Sequence, residues 1–241
     1  MTAAPAAVWQ SRWFSTSVAE RGLTAWRGVE AQHLVSTMRL VDTLAEQAEL
    51  EHLLERSKPP LPAAAVGAAS APVQHVLLST PFRYRPLHGS RFRKAGTQGL
   101  WYGGATLRTA AAEVAYWRWR FLMDSAALEQ QALHTEHTFF EAQVQGLAID
   151  LCAPPWLAGQ AAWTHSSDYG ATQAVAKAAG QQQVQWIRYA SVRDPGGICA
   201  AVLQPGALAL TQPMKQQTWH CKTTRDRVLM VHDQHRYSWD H

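Results

Sequence analysis

The sequence predicts an α+β fold with a mixed β core, flanking helices and a helical extension at the N-terminus. A long helical pattern comes first and is followed by a stretch rich in proline and alanine. After that stretch, β-branched and aromatic runs alternate with one strong helical pattern. Of the 241 residues 47% are apolar, an ordinary value for a globular protein with a sizeable core. One large domain with an extension is therefore expected.

The extension is predicted to cover residues 1–58. Residues 1–25 look irregular, whereas apolar residues recur over residues 29–56 in mixed steps of three and four. Asp42-Thr43 with Glu46 is typical of a helix start of the capping-box kind, so two helices that break near residue 41 are predicted rather than one.

A linker is predicted over residues 59–72, because prolines end the helix and the Ala/Gly/Ser run has few groups to pack. The main domain is expected to span residues 73–241. It begins with residues 74–85, whose β-branched and aromatic side chains predict an extended segment. Pro81 would mark a break or an edge position in it.

The strongest helical pattern spans residues 107–123 and follows a short predicted strand at residues 100–103. Thr106 is a plausible N-cap for this helix. Glu113 does not belong to the main apolar stripe. It lies on another face, together with Tyr116, Trp117 and Arg120.

The rest of the domain is predicted to contain more strands than helices. One or two strands are expected over residues 134–150, and a helix in the second half of residues 156–180, ended by Gly180. The further predicted strands lie at residues 184–191, at residues 198–203 and around residues 228–231.

Charge and cysteine content limit the possible partners and compartments. The net charge of +4 favours acidic or phosphorylated ligands but is too small to require nucleic acid. Three widely spaced cysteines indicate no disulfide framework. Neither a signal-peptide pattern nor an apolar run of about 18 residues is present. A cytoplasmic protein without membrane association is expected.

Several common kinds of site find little support. Histidines and cysteines near the C-terminus lack the CxxC or HExxH spacing that organises a metal site, so no metal is expected. The pairs Gly103-Gly104 and Gly196-Gly197 match neither a P-loop nor a dinucleotide-binding motif. Ser191 lacks the GxSxG context of a hydrolase nucleophile, so it would act by hydrogen bonding or by placing a ligand.

A run of alternating basic and aromatic residues leaves a non-enzymatic alternative open. Residues 116–120 read YWRWR in one-letter code, and several arginines precede them. Such surfaces can stack bases and hold phosphates, which would suit a nucleic-acid-binding or partner-binding module. Because an aromatic helix face more often belongs to a core, direct binding of nucleic acid is not favoured.

Arg91, Tyr102 and Glu113 form the most informative constellation, because each follows the previous one by eleven residues. A predicted turn, strand and helix carry them, so they can converge on one pocket. Arginine suits a pyrophosphate, since its planar fork donates two parallel hydrogen bonds. A tyrosine ring can stack on a flat heterocycle, and a carboxylate can stabilise positive charge at an anomeric carbon. Cleavage of the nicotinamide–ribose bond of NAD needs these groups and no metal.

The residues around this constellation resemble the signature of the RES-domain family. The family's motifs correspond here to Gly89-Ser90-Arg91-Phe92, to Trp101-Tyr102 and to Ala110-Ala111-Ala112-Glu113-Val114. The resemblance continues at residues 187–193 with Gly196-Gly197, and it covers about residues 75–205. One departure is that the family's turn commonly reads Gly-Arg-Trp-Asn, whereas Phe92-Arg93 follow Arg91 here.

RES-domain proteins are toxins of bacterial toxin–antitoxin modules, with a fold like that of ADP-ribosyltransferases. The resemblance therefore implies an NAD-consuming enzyme with NAD as substrate, inorganic phosphate as co-substrate and no true cofactor. Phosphorolysis to ADP-ribose 1''-phosphate and nicotinamide is favoured, with NAD hydrolysis or protein ADP-ribosylation as alternatives. The implied partner is a cognate antitoxin with a helix-turn-helix domain, and a homodimer is also considered. Residues 1–58 could cover the domain, form a dimer contact or meet the antitoxin.

The resemblance also implies a role for each site residue. Arg91 would hold the phosphates or a ribose of NAD, Tyr102 would stack on or orient the nicotinamide end, and Glu113 would stabilise the transition state. Ser191 would line the pocket. Either Arg83 or Arg85 resembles the arginine that precedes the family's signature, and the sequence does not choose between them.

Overall fold

A computed structural model of the chain describes residues 8–31, 35–38, 40–60 and 76–241. The described residues form seven α-helices and one mixed sheet of nine strands, which confirms the α+β fold class. The helices are α1 (Arg12–Ser17), α2 (Val35–Met38), α3 (Leu44–Ser57), α4 (Val76–Arg83), α5 (Leu107–Met123), α6 (Gln160–Trp163) and α7 (Gly170–Gln181). The strands are β1 (Ala19–Glu30), β2 (Trp101–Gly104), β3 (Leu133–Asp150), β4 (Trp186–Ala190), β5 (Ile198–Val202), β6 (Leu208–Leu210), β7 (Gln216–Thr223), β8 (Arg227–His232) and β9 (His235–Asp240).

Strand β3 is the centre of the sheet, because four other strands pair with it. The pairing of β3 with β4 is parallel, and its pairings with β1, β6 and β7 are antiparallel. The order β1-β2-β5-β4-β3, together with the pairing of β1 and β3, closes these five strands into a ring. Strands β7, β8 and β9 extend the sheet beyond β3 as an antiparallel meander.

The N-terminal segment differs from the helical extension that the sequence predicts. Residues 19–30 form strand β1, which pairs with β3 along its whole length, from Ala19↔Ala148 to Glu30↔His137. The prediction of irregular chain up to residue 25 and of a helix from Val29 is therefore wrong over this strand. The pairing partners lie far away in sequence, so no local pattern identifies them.

The two predicted helix starts with a capping residue are confirmed. The Thr43 hydroxyl accepts the Glu46 backbone N–H, and the Glu46 carboxylate accepts the Thr43 N–H, which completes a capping box at α3. The Thr106 hydroxyl accepts the Thr109 backbone N–H at the start of α5. Residues 35–38 and 44–57 are the two helices expected on either side of residue 41.

Residues 76–83 form helix α4 and not the extended segment that the sequence predicts. Leu78, Ser79 and Phe82 are buried, and their spacing of one and three residues follows the helical period. This burial outweighs the β-branched composition and the missing N–H of Pro81, which lies inside the helix. Of the predicted linker, residues 61–72 lie outside the described residues.

The structure also differs from the predictions for the C-terminal tail and for Gly180. The tail contains the three strands β7, β8 and β9, where one strand around residues 228–231 is predicted. Helix α7 continues through Gly180 to Gln181, and the chain turns at Gln183, which has a φ of 57°. Gly180 therefore does not end the helix.

Helix α5 lies close to the sheet because glycines face it. A Cβ atom at Gly28 on β1 would lie 2.6 Å from the Phe139 ring and 2.9 Å from Val114 of α5. A Cβ atom at Gly104 on β2 would lie 2.5 Å from the backbone nitrogen of Ala110. Both positions therefore require glycine for close packing, and together they hold the first half of α5 against β1 and β2.

Candidate active site

A cavity of about 360 Å³ opens between α5 and strands β1, β2 and β3. Pockets that bind small molecules commonly have volumes of about 300–1,000 Å³. Arg91, Tyr102 and Glu113 all line the cavity, so the structure brings the predicted constellation together. The other lining residues are Trp26, Arg27, Gly28, Glu30, Ser90, Gly103, Gly104, Ala110, Val114, Trp117, Arg118, His137, Tyr169, Tyr189, Arg193 and Cys199.

Glu113 lies in the first half of α5, with its carboxylate directed to strands β4 and β5. Its Oε1 accepts a hydrogen bond of 2.7 Å from the Ser191 hydroxyl, and the Cys199 Sγ lies 4.0 Å from the same oxygen. Desolvation raises the pKa of Glu113 above its ordinary value, while Ser191 and the positive charges of Arg193 and Arg91 oppose that rise. The Glu113 carboxylate therefore lies near two cations in a poorly solvated position.

Ser191 is positioned by the turn that follows β4. Its Oγ accepts the backbone N–H groups of Arg193 and Asp194, each at 3.1 Å, so the hydroxyl hydrogen is left to point at Glu113. The Asp194 carboxylate accepts a hydrogen bond of 2.7 Å from Thr109 in the first turn of α5. This contact fixes the turn against the helix that carries Glu113.

Tyr102 connects strand β2 to the turn that carries Arg91. Its hydroxyl oxygen lies 2.9 Å from the Ser90 Oγ and accepts the Phe92 backbone N–H at 3.3 Å. Burial raises the pKa of Tyr102, so the phenol stays protonated at neutral pH. The ring is thereby held in one orientation on the cavity wall.

Arg91 is fixed at the cavity by the segment between α6 and α7. Its Nη1 donates to the carbonyl oxygens of Trp163 and His165, both at 2.9 Å, and its guanidinium lies 4.8 Å from the centre of the Tyr169 ring. Arg193 contacts the same segment, since its Nη2 donates to the Ser166 carbonyl at 2.8 Å. Two cations of the cavity therefore share one supporting loop.

Arg27 of strand β1, which the sequence does not single out, also lines the cavity. Its Nη1 donates to the Tyr102 carbonyl at 2.9 Å, and its buried Nε makes no hydrogen bond within the described part of the chain. Desolvation lowers the pKa of Arg27 to about 10, so it remains charged at neutral pH. The only sequence signal is the alternation of apolar residues around it, at Leu23 and Ala25, which is typical of a strand.

Arg83 and Arg85 do not reach the cavity, contrary to their prediction as candidate binding residues. Arg83 Nη1 lies 3.0 Å from the Glu55 Oε1 of α3, and Arg85 is exposed. Ser191, which is predicted to line the pocket, is not among the residues that line the cavity and instead contacts the Glu113 carboxylate. Arg27 lines the cavity, whereas neither Arg83 nor Arg85 does.

The basic and aromatic residues of α5 contact different parts of the structure. The Tyr116 ring lies 3.4 Å below the Arg193 guanidinium, and the Trp119 ring stacks on His241 at 4.5 Å. Trp117 lies on the cavity wall. These residues do not form one continuous basic and aromatic surface, so the structure does not favour the nucleic-acid alternative.

The described residues contain no cluster of three or more His, Cys, Asp or Glu side chains that could hold a metal ion. Within the same residues, no helix is both long and apolar enough to cross a membrane.

Comparison with known proteins gives one family. The family model of the RES domain matches residues 65–224, which is more than half of the chain. No curated protein matches. One similar solved structure is the "Crystal structure of the M.tuberculosis MbcT-MbcA toxin-antitoxin complex", at 13% identity and a TM-score of 0.48. That match covers 91% of this chain and 95% of the other.

Proposed function

The chain belongs to the RES-domain family, and we propose that it cleaves the bond between nicotinamide and ribose in NAD. One observation carries the proposal: the Glu113 carboxylate, bound by Ser191 at 2.7 Å, lies in a cavity that Arg27, Arg91 and Arg193 also line. A carboxylate for the reacting carbon and cations for a pyrophosphate are the two groups that this reaction needs.

Glu113 would stabilise the charge that develops when the bond breaks. Nicotinamide leaves with the electron pair of the carbon–nitrogen bond and becomes neutral, while positive charge spreads over the anomeric carbon and the ring oxygen. A fixed carboxylate beside that carbon lowers the energy of this transition state, as in glycosidases. The hydrogen bond from Ser191 keeps the carboxylate in place and favours its ionised form.

The arginines would bind the pyrophosphate of NAD. Arg27 carries a buried Nε with no partner within the described residues, so a phosphate oxygen would supply its missing acceptor. Charge-assisted hydrogen bonds of this kind are shorter and stronger than neutral ones. Arg91 and Arg193 are held near Glu113 by backbone carbonyls, which leaves nitrogens on both guanidinium groups for the substrate.

The proposed acceptor is inorganic phosphate, because a cavity lined by several arginines attracts a dianion more strongly than neutral water. A phosphate oxygen would attack the anomeric carbon as nicotinamide leaves, and the products would be ADP-ribose 1''-phosphate and nicotinamide. Incubation of the protein with NAD, with and without inorganic phosphate, distinguishes phosphorolysis from hydrolysis and from protein ADP-ribosylation. Release of nicotinamide only with phosphate supports phosphorolysis, whereas equal release without it shows hydrolysis, and label on protein shows ADP-ribosyl transfer.

The proposal extends to the cellular role that the family resemblance implies. The chain would act in the cytoplasm as the toxin of a toxin–antitoxin module, neutralised by a cognate antitoxin with a helix-turn-helix domain. A homodimer is a further proposed assembly. Expression of the wild-type chain and of Glu113→Gln in a bacterial host would test toxicity. Growth arrest with loss of cellular NAD is expected from the wild type alone, and equal arrest by both would contradict the role.

A further inference from the structure

The cavity continues beyond Glu113 to four polar and aromatic side chains that the proposed bond cleavage does not use. Trp117 and Arg118 lie about one turn after Glu113 on α5. Glu30 of β1 and His137 of β3 are paired residues in the sheet below them. All four line the cavity, and we refer to Glu30, Trp117, Arg118 and His137 as the distal end.

One ring nitrogen of the buried His137 has no hydrogen-bond partner among the described residues. His137 is 2% exposed, and its Nε2 lies 3.0 Å from the Thr135 hydroxyl. Its Nδ1 is buried and makes no hydrogen bond within the described residues. Roughly 90% or more of buried polar groups in proteins have a partner. Because His137 lines the cavity, a ligand bound there can supply the partner that this nitrogen lacks.

The distal end is close to electrically neutral. Arg118 Nη1 lies 2.8 Å from Glu30 Oε2, so their charges offset each other. Burial and the neighbouring Arg118 lower the pKa of His137 to about 4, so the imidazole is uncharged at neutral pH. This end consequently suits an uncharged polar group better than a phosphate, in contrast to the part of the cavity near Arg27 and Arg91.

Two further features indicate which kind of uncharged polar group fits the distal end. The Trp117 indole is 47% exposed, so its ring can stack on a flat heterocycle. The Arg118 Nε is buried without a hydrogen bond within the described residues and offers a donor. In the tautomer whose Nε2–H donates to Thr135, the His137 Nδ1 offers an acceptor. A donor beside an acceptor complements the edge of adenine, where a ring nitrogen adjoins an amino group.

We propose that the distal end binds the adenosine half of the dinucleotide. This inference rests on the proposed function, because it places the nicotinamide half of NAD at Glu113. Stacking on Trp117 and hydrogen bonds to Arg118 and His137 hold the base. The Glu30 carboxylate lies on the same surface and accepts hydrogen bonds from the ribose hydroxyls. Binding energy from this remote half then orients the reacting ribose at Glu113.

The first experiment compares NAD with nicotinamide mononucleotide, which has the scissile bond but no adenosine. The variants are Trp117→Ala and His137→Gln, with Arg120→Ala as the matched control, since Arg120 lies on the same helix but does not line the cavity. The ratio of kcat/KM for NAD to that for the mononucleotide should fall about tenfold in each variant. The ratio should not change in Arg120→Ala.

An unchanged ratio in Trp117→Ala would overturn the assignment. Because Trp117 is exposed, this variant is expected to fold, and circular dichroism would confirm its structure. If His137→Gln loses its structure, the result for Trp117→Ala still decides the test.

The second experiment separates this inference from the proposed reaction, because it needs no bond cleavage. Calorimetry would measure the Kd of ADP, which lacks the nicotinamide half, for the wild type and for Trp117→Ala. About tenfold weaker binding to the variant supports the distal site, even if NAD is not cleaved. Equal affinity for both proteins overturns the distal site, even if NAD is cleaved.

Discussion

The Ser191 hydroxyl donates a hydrogen bond of 2.7 Å to the Glu113 carboxylate, although 78 residues separate the two in sequence. Strand β4 and the turn after it bring Ser191 to helix α5. Two backbone N–H groups of the turn orient the hydroxyl, so its single hydrogen is directed at Glu113. The ionisation of the proposed catalytic carboxylate therefore depends on a residue from a distant part of the chain.

Replacement of Ser191 by alanine should shift the pH dependence of NAD cleavage. The hydrogen bond from Ser191 lowers the pKa of Glu113, so its loss raises that pKa further above the ordinary value. Because the ionised carboxylate is the proposed active form, the acidic limb of the profile of kcat against pH should move to higher pH in Ser191→Ala. Kinetics across the pH range would measure the shift.

Ser15→Ala is a suitable control for this experiment, since Ser15 is exposed on α1 and its hydroxyl donates to the nearby Arg12 carbonyl. Its acidic limb should coincide with that of the wild type. An acidic limb that stays in place in Ser191→Ala would show that Ser191 does not tune Glu113.

Replacement of Arg27 by methionine should weaken binding of NAD. Hydrogen bonds to charged groups contribute about 1.5–3 kcal/mol each, so KM for NAD should rise at least about tenfold. Arg85→Met is the matched control, because Arg85 is exposed and outside the cavity. A rise of KM in Arg85→Met with none in Arg27→Met would restore Arg85 as the phosphate-binding arginine and exclude Arg27.

Removal of the N-terminal segment should prevent folding of the main domain. A chain that begins at residue 59 lacks β1, which pairs with β3 over 12 residues and supplies Arg27 to the cavity. Loss of a strand from the closed ring exposes the core and the β3 edge to solvent. Circular dichroism and thermal unfolding should show no cooperative transition. A cooperative transition like that of the full chain would show that the domain is independent of residues 1–58.

The site around Glu113 could be predicted from sequence because its residues belong to local motifs. Arg91, Tyr102 and Glu113 lie on three consecutive elements, and Thr106 marks the start of the helix that carries the carboxylate. Periodicity and capping, which are local properties, identify these elements. The chemistry of the three side chains then leads to NAD as the proposed ligand.

Arg27 could not be predicted, because only long-range pairing brings it to the cavity. Strand β1 meets β3 more than a hundred residues later, and its mixture of glycines and charged residues gives a weak strand pattern. Proximity in sequence was misleading for Arg83, which precedes the signature but pairs with Glu55. In residues 76–83, β-branched composition similarly concealed the helical spacing of Leu78 and Phe82.

Release of nicotinamide from NAD by the wild-type chain and by Glu113→Gln shows whether Glu113 is the catalytic carboxylate. Glutamine keeps the size of the side chain and can still bond to Ser191, but it lacks the negative charge that stabilises the developing cation. Glu49→Gln, at an exposed position on α3, controls for loss of a surface carboxylate. We expect wild type and Glu49→Gln to release nicotinamide, and Glu113→Gln to bind NAD but lose turnover by about a hundredfold or more. Release by Glu113→Gln at the wild-type rate would contradict this role.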